Sequence, residues 1–312
     1  MAGKEKFKTT IGGQALIEGI LMRGPKKTEI VVRKTDGSLV YEERETSKKA
    51  EIWFFKLPIV RGVYRFAESM RDGMSALTFS AQFFEEDEKT EPQGLEKFLV
   101  EKFGSEKVEK TMMTIATAIG VIIPIALFIL LPTLLAGVFD EAIGTGVVRN
   151  LVEGAIRISL FLLFLLSVSR IKDIKRTFAY HGAEHKSISC YESGEELTVE
   201  NVRKHTRLHP RCGTSFLFVV IIISILIFSM FTWSNPFLRV ALRLALLPVI
   251  VGISYEINRF AGRYDNVLTK VIRAPGMWLQ KLTTNEPDDS MIEVAIEALK
   301  CVIPENEDEA RW

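Results

Sequence analysis

From Thr111 to Phe139 the chain runs for 29 residues without a charged side chain, between Lys110 and Asp140. The hydrocarbon core of a bilayer needs only about 20 helical residues. A helix on a soluble globule keeps one wet, polar face, and this stretch has none. It therefore predicts a long or tilted membrane span, about 111–138, kinked at Pro124 and Pro132.

Once one span is granted, others follow from the same pattern. Leu151 to Ser169 is apolar apart from Glu153 and Arg157, an acid and a base four apart that can pair on one helix face. Gly213 to Leu238 holds no charge, and Ser234, Asn235 and Pro236 mark a turn that ends the helix early. A fourth helix, about 237–257, carries Arg239 and Arg243 in its first turns, where long side chains snorkel to the interface. The expected fold class is thus an all-α membrane domain of four spans, at about 111–138, 150–169, 213–233 and 237–257. Lys and Arg then fix its orientation. The loop 170–211 holds nine of them, against Arg149 alone between the first two spans and Arg239 and Arg243 at the other turn. This places the 170–212 loop and both termini in the cytoplasm. Met1 to Thr10 is charged and lacks an apolar core, so insertion is expected to depend on internal segments.

Three regions result: a cytoplasmic N-terminal part, 1–110; the membrane domain, 111–257; and a cytoplasmic helical tail, 258–312. In the first, Asp36-Gly37 between partly alternating segments predicts a β-hairpin over 28–45. The stretch 52–84 interleaves Trp53, Phe54, Phe55, Tyr64 and Phe66 with Arg61, Arg65 and Arg71. That composition suits an amphipathic helix at a membrane surface, or one packed on the protein itself. Glu85 to Lys110 reads as an acidic linker or solvated helix. Tyr264 to Leu282 mixes apolar residues with Lys270, Arg273 and Lys281, and a helix after Pro287 has Ile292, Ile296 and Leu299 spaced for one buried face.

Charge excludes one class of function. Lys plus Arg total 40 and Asp plus Glu 39, without the basic excess of a dedicated nucleic-acid binder. The cysteines, Cys190, Cys212 and Cys301, are too few and too odd in number for a disulfide framework.

The chemistry concentrates in the loop. All four histidines lie between His181 and His209, and Cys190 and Cys212 fall in or just beyond that window. His181-Gly182-Ala183-Glu184-His185 has the inverted H-x-x-E-H order of some zinc peptidases. In a helix, His181 and His185 stand one turn apart and can reach one metal ion, with Glu184 beside them as a general base. This order calls for a further carboxylate ligand well downstream. Glu256, at the end of the fourth span, is a candidate, with a simple pair to Arg259 or Arg263 as its plainer role. A competing arrangement takes Cys190, His205, His209 and Cys212 as a closed structural zinc site. A mixed one completes the first site with His205 or His209. Without metal, these histidines would face anionic headgroups beside the loop's cations. The glycine-marked stretch Gly12 to Pro25 fits no nucleotide-binding loop. It reads as turn punctuation, or as a loop reaching the active site with Glu18 and Arg23 as substrate contacts.

Four stretches resemble the bacterial YqhQ-type membrane family: IGGQALIEGILMRGP at Ile11–Pro25, YHGAEHKSISCYE at Tyr180–Glu192, HPRCGTSF at His209–Phe216, and APGMWLQKLTTNEPDDSMIEVAIEAL at Ala274–Leu299. The resemblance spans nearly the whole chain. It implies a multi-span inner-membrane protein of a kind labelled predicted metal-dependent enzymes. His181, Glu184, His185, His209 and Cys212 match its loop, and no substrate comes with it.

The expected function is a metal-dependent hydrolase at the cytoplasmic membrane face, with zinc as the metal. Its substrate would be a lipid-linked molecule or a membrane peptide. A membrane scaffold with a metal-stapled Cys/His loop is the alternative. A transporter comes third, because the spans carry few polar groups.

Overall fold

The computed structural model describes residues 7–45, 52–85, 105–139, 146–231 and 236–311. The linker residues 86–104 and the turn residues Ser234 and Asn235 lie outside them.

The N-terminal part is a four-stranded antiparallel sheet, β1 (Gly12–Leu16), β2 (Gly19–Arg23), β3 (Lys27–Arg33) and β4 (Leu39–Glu45), in the order β1-β2-β3-β4. β3 and β4 form a hairpin at Asp36-Gly37. Gly37 sits at φ +85°, a conformation glycine adopts without steric cost. The stretch from Gly12 to Pro25, expected as loop, instead forms β1 and β2, with Gly19 paired to Val32. Both sheet faces are covered, which explains the near-continuous burial of β2 and β3.

Helices α1 (Trp53–Lys56) and α2 (Val60–Glu85) follow. Ala76, Leu77, Phe79 and Phe83 of α2 pack against Leu16, Leu21, Ile30 and Val32 of the sheet. Next come α3 (Ser105–Ile125), a π-helical turn at Ala126–Leu130, and α4 (Leu131–Val138). The π turn lies between Pro124 and Pro132, where missing N–H donors break the regular ladder. Then follow α5 (Val147–Val168), α6 (Lys172–Glu192), α7 (Val199–Lys204), α8 (Gly213–Ser229), α9 (Pro236–Arg263), α10 (Val267–Thr283) and α11 (Asp289–Val302).

Among the described residues, three helical stretches are long and apolar enough to cross a membrane: Thr114–Val138, Val147–Val168 and Phe237–Arg263. α8 is equally apolar but has 17 residues. Its helix stops at Ser229, short of the 213–233 expected.

The chain forms two compact units. One draws on the chain up to Phe84, on Leu165–Ser224 and on Leu247 onward. Its main core joins the second face of the sheet to α6 and α11, through Ile20, Met22 and Val31, Tyr180, Ala183 and Ile188, and Ile292, Ile296 and Leu299. Fully burying such a side chain contributes about 1.5–3 kcal/mol. α11 starts at Asp288, whose carboxylate accepts the Met291 N–H at 3.0 Å, a cap contributing about 1 kcal/mol.

The other unit draws on Glu85–Phe164 and Ile225–Leu246. Its helices share a buried polar knot. Glu153 accepts from Arg157 at 3.2 Å, from Arg243 and from Thr133, and Asn150 donates to the Phe228 carbonyl at 3.0 Å. Charges inside an apolar helical unit persist only when paired in this way.

Candidate metal centre

α6 carries the motif, and helical spacing brings the rings of His181 and His185 together at 4.3 Å between centroids. Each ring is fixed from behind by a backbone carbonyl. His181 Nδ1 lies 2.9 Å from the Thr283 oxygen, and His185 Nδ1 lies 2.6 Å from the Arg207 oxygen. A carbonyl only accepts, so both Nδ1 atoms donate to it, and Nε2 is left in each ring as the nitrogen that can meet a metal ion or the Cys212 sulfur. His181 Nε2 is 3.2 Å from the sulfur of Cys212. Ligand atoms of His181, His185 and Cys212 all lie within 4.8 Å of one another.

Cys212 is held in place by the turn before α8. The buried Gln280 of α10 clamps the backbone of His209, accepting its N–H at 2.7 Å and donating to its carbonyl at 2.8 Å. Gly276 lets α10 approach Ser215 closely enough to bring that clamp into register.

Glu184, buried on the same turn, faces β1. Its Oε1 accepts the Gly13 N–H at 2.9 Å. A Cβ at position 13 would stand 3.0 Å from the Glu184 Cγ and 2.7 Å from the Leu21 oxygen, so only glycine admits this contact. Burial pushes the Glu184 carboxyl above its ordinary range, against the pull of His185 and His181. Burial also opposes charge on His181, but the Cys212 sulfur outweighs it and raises the imidazole to about 9. The Cys212 thiol is likewise opposed by burial, yet His181 and His185 hold it well below its usual value. Thiolate character at Cys212 is what a soft metal ion requires.

The other sequence candidates lie around this cluster. The His209 ring is 5.5 Å from that of His185, and its Nε2 faces Arg211 at 3.2 Å and Glu192 at 3.6 Å. Cys190 and His205 form a separate group with Glu195 and are not brought to Cys212. Glu256 makes a two-pronged ion pair with Arg61, one contact at 2.6 Å, and is not among the clustered donors. Glu18 sits at φ +49° and binds Arg176 and Tyr180, tying the β1–β2 turn to α6. Sequence reasoning named Gly13 only within a glycine-marked stretch that could reach the active site, and did not single out Thr283 or Gln280. The Gly12-Gly13 pair was the one visible sign of a close approach.

A cavity of about 570 Å³ opens over the cluster. His181, Glu184, His185 and Cys212 line it, together with residues of β1 and with Phe66, Met70, Phe216 and Leu217.

Residues 57–305 match a family described as proteins of unknown function, DUF1385. The chain belongs to this family. Over 298 residues it is 34% identical to the uncharacterized protein YqhQ of Bacillus subtilis (strain 168), covering 95% of this chain and 92% of that protein. The YqhQ-type resemblance of its motifs therefore extends to the chain as a whole. No solved structure matches it. His181, Glu184, His185 and Cys212 all fall within the family's span.

Proposed function

We propose that this protein is a metal-dependent hydrolase of the bacterial cytoplasmic membrane, acting at its cytoplasmic face on a membrane-associated substrate. One observation carries the reading: two imidazoles, each with Nδ1 engaged by a backbone carbonyl, share a cluster with one cysteine sulfur, which lies 3.2 Å from His181 Nε2, and the ligand atoms of all three residues lie within 4.8 Å of one another. Hydrogen bonding from behind is how metal-ligating histidines are oriented. Two imidazoles and a thiolate suit zinc, and a three-donor protein set is the open, catalytic kind. When bound, the ion supplies Lewis acidity that activates water and polarises a carbonyl.

The chain's own residues do the rest. Glu184, with Oε1 held by Gly13, takes the proton from water on its carboxylate and passes it to the leaving group. Its burial raises its basicity toward that task. Phe66, Met70, Phe216 and Leu217 limit water around the reacting groups.

Four spans, with α8 as the short one, complete the reading. At about 1.5 Å per residue α8 is about 26 Å long, close to the hydrocarbon thickness. Packing supports it. The sheet and α11 both pack on α6, which favours both flanking regions lying on the side of the 170–212 loop. An even number of crossings between α6 and α11 fits that packing, with α8 accompanying α9. The nine cations of the loop support a cytoplasmic position for that side.

A scaffold with a metal staple is the second reading. The same donors would tie α6 to the turn before α8 whether or not chemistry follows. Glu184→Gln decides between them. A hydrolase variant keeps its metal and fails to restore function in a deletion strain, whereas a scaffold variant restores it fully.

A further inference from the structure

The sheet has two open edges, and they are treated differently. β4 ends in Glu42-Glu43-Arg44-Glu45, a charged fence of the kind that keeps other strands from pairing. β1 reads Gly-Gly-Gln-Ala-Leu, with no charge and no proline. Gly12 to Ala15 line the same cavity as His181, Glu184, His185 and Cys212. A Cβ at Gly12 would meet nothing within 4 Å.

Backbone direction follows from one contact. The Gly13 N–H donates away from β2, to Glu184. Residues of an antiparallel strand alternate between facing the partner and facing away. Gly12 and Gln14 therefore bond β2, while Gly13 and Ala15 turn their backbone groups to the outer edge, where Glu184 already takes the Gly13 N–H and a docked strand would meet the Gly13 carbonyl and both backbone groups of Ala15. The cavity is also lined by Phe66 and Phe216, 5.7 Å apart between ring centroids, and by Met70 and Leu217. Its two arginines are already matched: Arg23 with Asp72 at 2.9 Å, and Arg211 with Glu192.

We propose that the outer edge of β1 is a docking strand for an extended, apolar segment of polypeptide, which pairs as a fifth strand and lays one peptide bond over the His181–His185–Cys212 cluster. Strand addition supplies affinity through main-chain hydrogen bonds, and alternate side chains enter the apolar wall. The paired cations argue against a lipid phosphate as the recognised group. As chemistry this rests on the hydrolase reading. Water's oxygen bonds to the peptide carbonyl carbon, the C–N bond breaks, and Glu184 carries the water proton to the departing nitrogen. The products are a carboxylate and an amine, with no redox partner.

Docking and chemistry are tested separately on the full chain in detergent. The docking probe is a fluorescein-labelled octapeptide amide alternating leucine and threonine, read by anisotropy. Only alternate amides of a paired strand face β1. N-methylation of one parity should weaken binding at least tenfold, and methylation of the other should change it less than threefold. Ala15→Pro removes an outward N–H without touching the β1–β2 ladder and should weaken the unmodified peptide about tenfold. Equal binding of both methylated peptides overturns strand docking, as does absence of peptide binding. Displacement of the peptide by lauric acid, with no parity effect, would assign the groove to an acyl chain instead. Acetohydroxamate added to cobalt-loaded protein tests the metal reading alone. An unchanged cobalt spectrum sinks that reading and leaves the docking result standing.

Discussion

The sulfur of Cys212 lies 3.2 Å from Nε2 of His181, while Nδ1 of the same ring is engaged by the Thr283 carbonyl at 2.9 Å. A cysteine packed for shape alone would not need a histidine oriented from behind. The first expectation is therefore a stoichiometry. Purified protein binds about one zinc or cobalt ion, and the cobalt form shows a sulfur-to-metal charge-transfer band. Cys212→Ser removes the band, and His181→Ala with His185→Ala removes the metal. Cys190→Ser and His205→Ala leave both in place, because those residues group with Glu195. Metal loss on changing Cys190 would instead favour the closed structural site.

Glu184 and Gly13 form a single device, so they should fail together and differently from the ligands. Glu184→Gln keeps metal and shape but cannot take a proton, which typically costs on the order of 10²–10⁴ in rate. Gly13→Ala places a methyl 3.0 Å from the Glu184 Cγ and against the Leu21 oxygen. It should displace the carboxylate and cause a comparable loss with the metal retained. Metal content by elemental analysis, beside complementation of a deletion strain, checks both. Loss of metal in Glu184→Gln would redraw Glu184 as a ligand.

How much of this was legible in the chain depends on the range of the interaction. The apolar spans were, since 29 uncharged residues have few alternatives. The β3–β4 hairpin was, because Asp36-Gly37 is local turn chemistry. β1 and β2 were hidden by their glycines, which read as turns until the sheet and α6 show why backbone must come close there. The pairing of His181 with His185 is a matter of helical pitch and was visible. The choice of Cys212 over Cys190 as their neighbour was not. It depends on Gln280 and Thr283, about 70 or more residues away in the chain, which hold the turn and the ring.

Glu192 gives a pH dependence whose sign is fixed. Burial would raise its carboxyl, but its hydrogen bond with His209 and the Arg211 charge outweigh burial and hold it below the ordinary carboxylate value. A group depressed in the folded state stabilises above its unfolded pKa, about 4.3, and loses that contribution as pH falls through the folded value. Metal-free protein should therefore lose thermal stability steeply below about pH 4.3. Glu192→Gln should start lower at pH 7 and fall less. Parallel Tm–pH curves for the two proteins would contradict this.

Topology can be read with single cysteines, after Cys301→Ser. Cys190 and Cys212 are buried and should not label in folded protein. Glu200→Cys and Asp308→Cys, both at exposed positions, should react only with reagents that enter the cytoplasm, and Val147→Cys from outside. Asp308 carries the weight, because three spans would put it outside and four put it inside. External labelling there would remove α8 from the count.

Gly182 is the glycine of the His181-to-His185 motif, and its reason is packing. A Cβ there would collide with the Asn285 carbonyl oxygen and stand 3.4 Å from Pro287 Cδ. Asn285 cannot easily yield. Its N–H donates to the Phe178 carbonyl at 2.8 Å and its side chain to the Lys175 carbonyl at 2.9 Å, so the 283–287 segment is laced along α6. The same segment supplies the Thr283 oxygen that orients His181. Gly182→Ala should therefore do two things at once. Overpacking should cost about 1–3 kcal/mol of stability, offset by less than about 1 kcal/mol from alanine's better helix propensity. By shifting Thr283 it should also weaken metal binding by roughly 10–100-fold, the usual cost of disturbing a ligand's supporting hydrogen bond. Thermal unfolding of the metal-free protein measures the first effect and competition with a chelator the second. A variant that unfolds earlier but binds metal as tightly as the parent would show that the Thr283 carbonyl is not needed to hold His181.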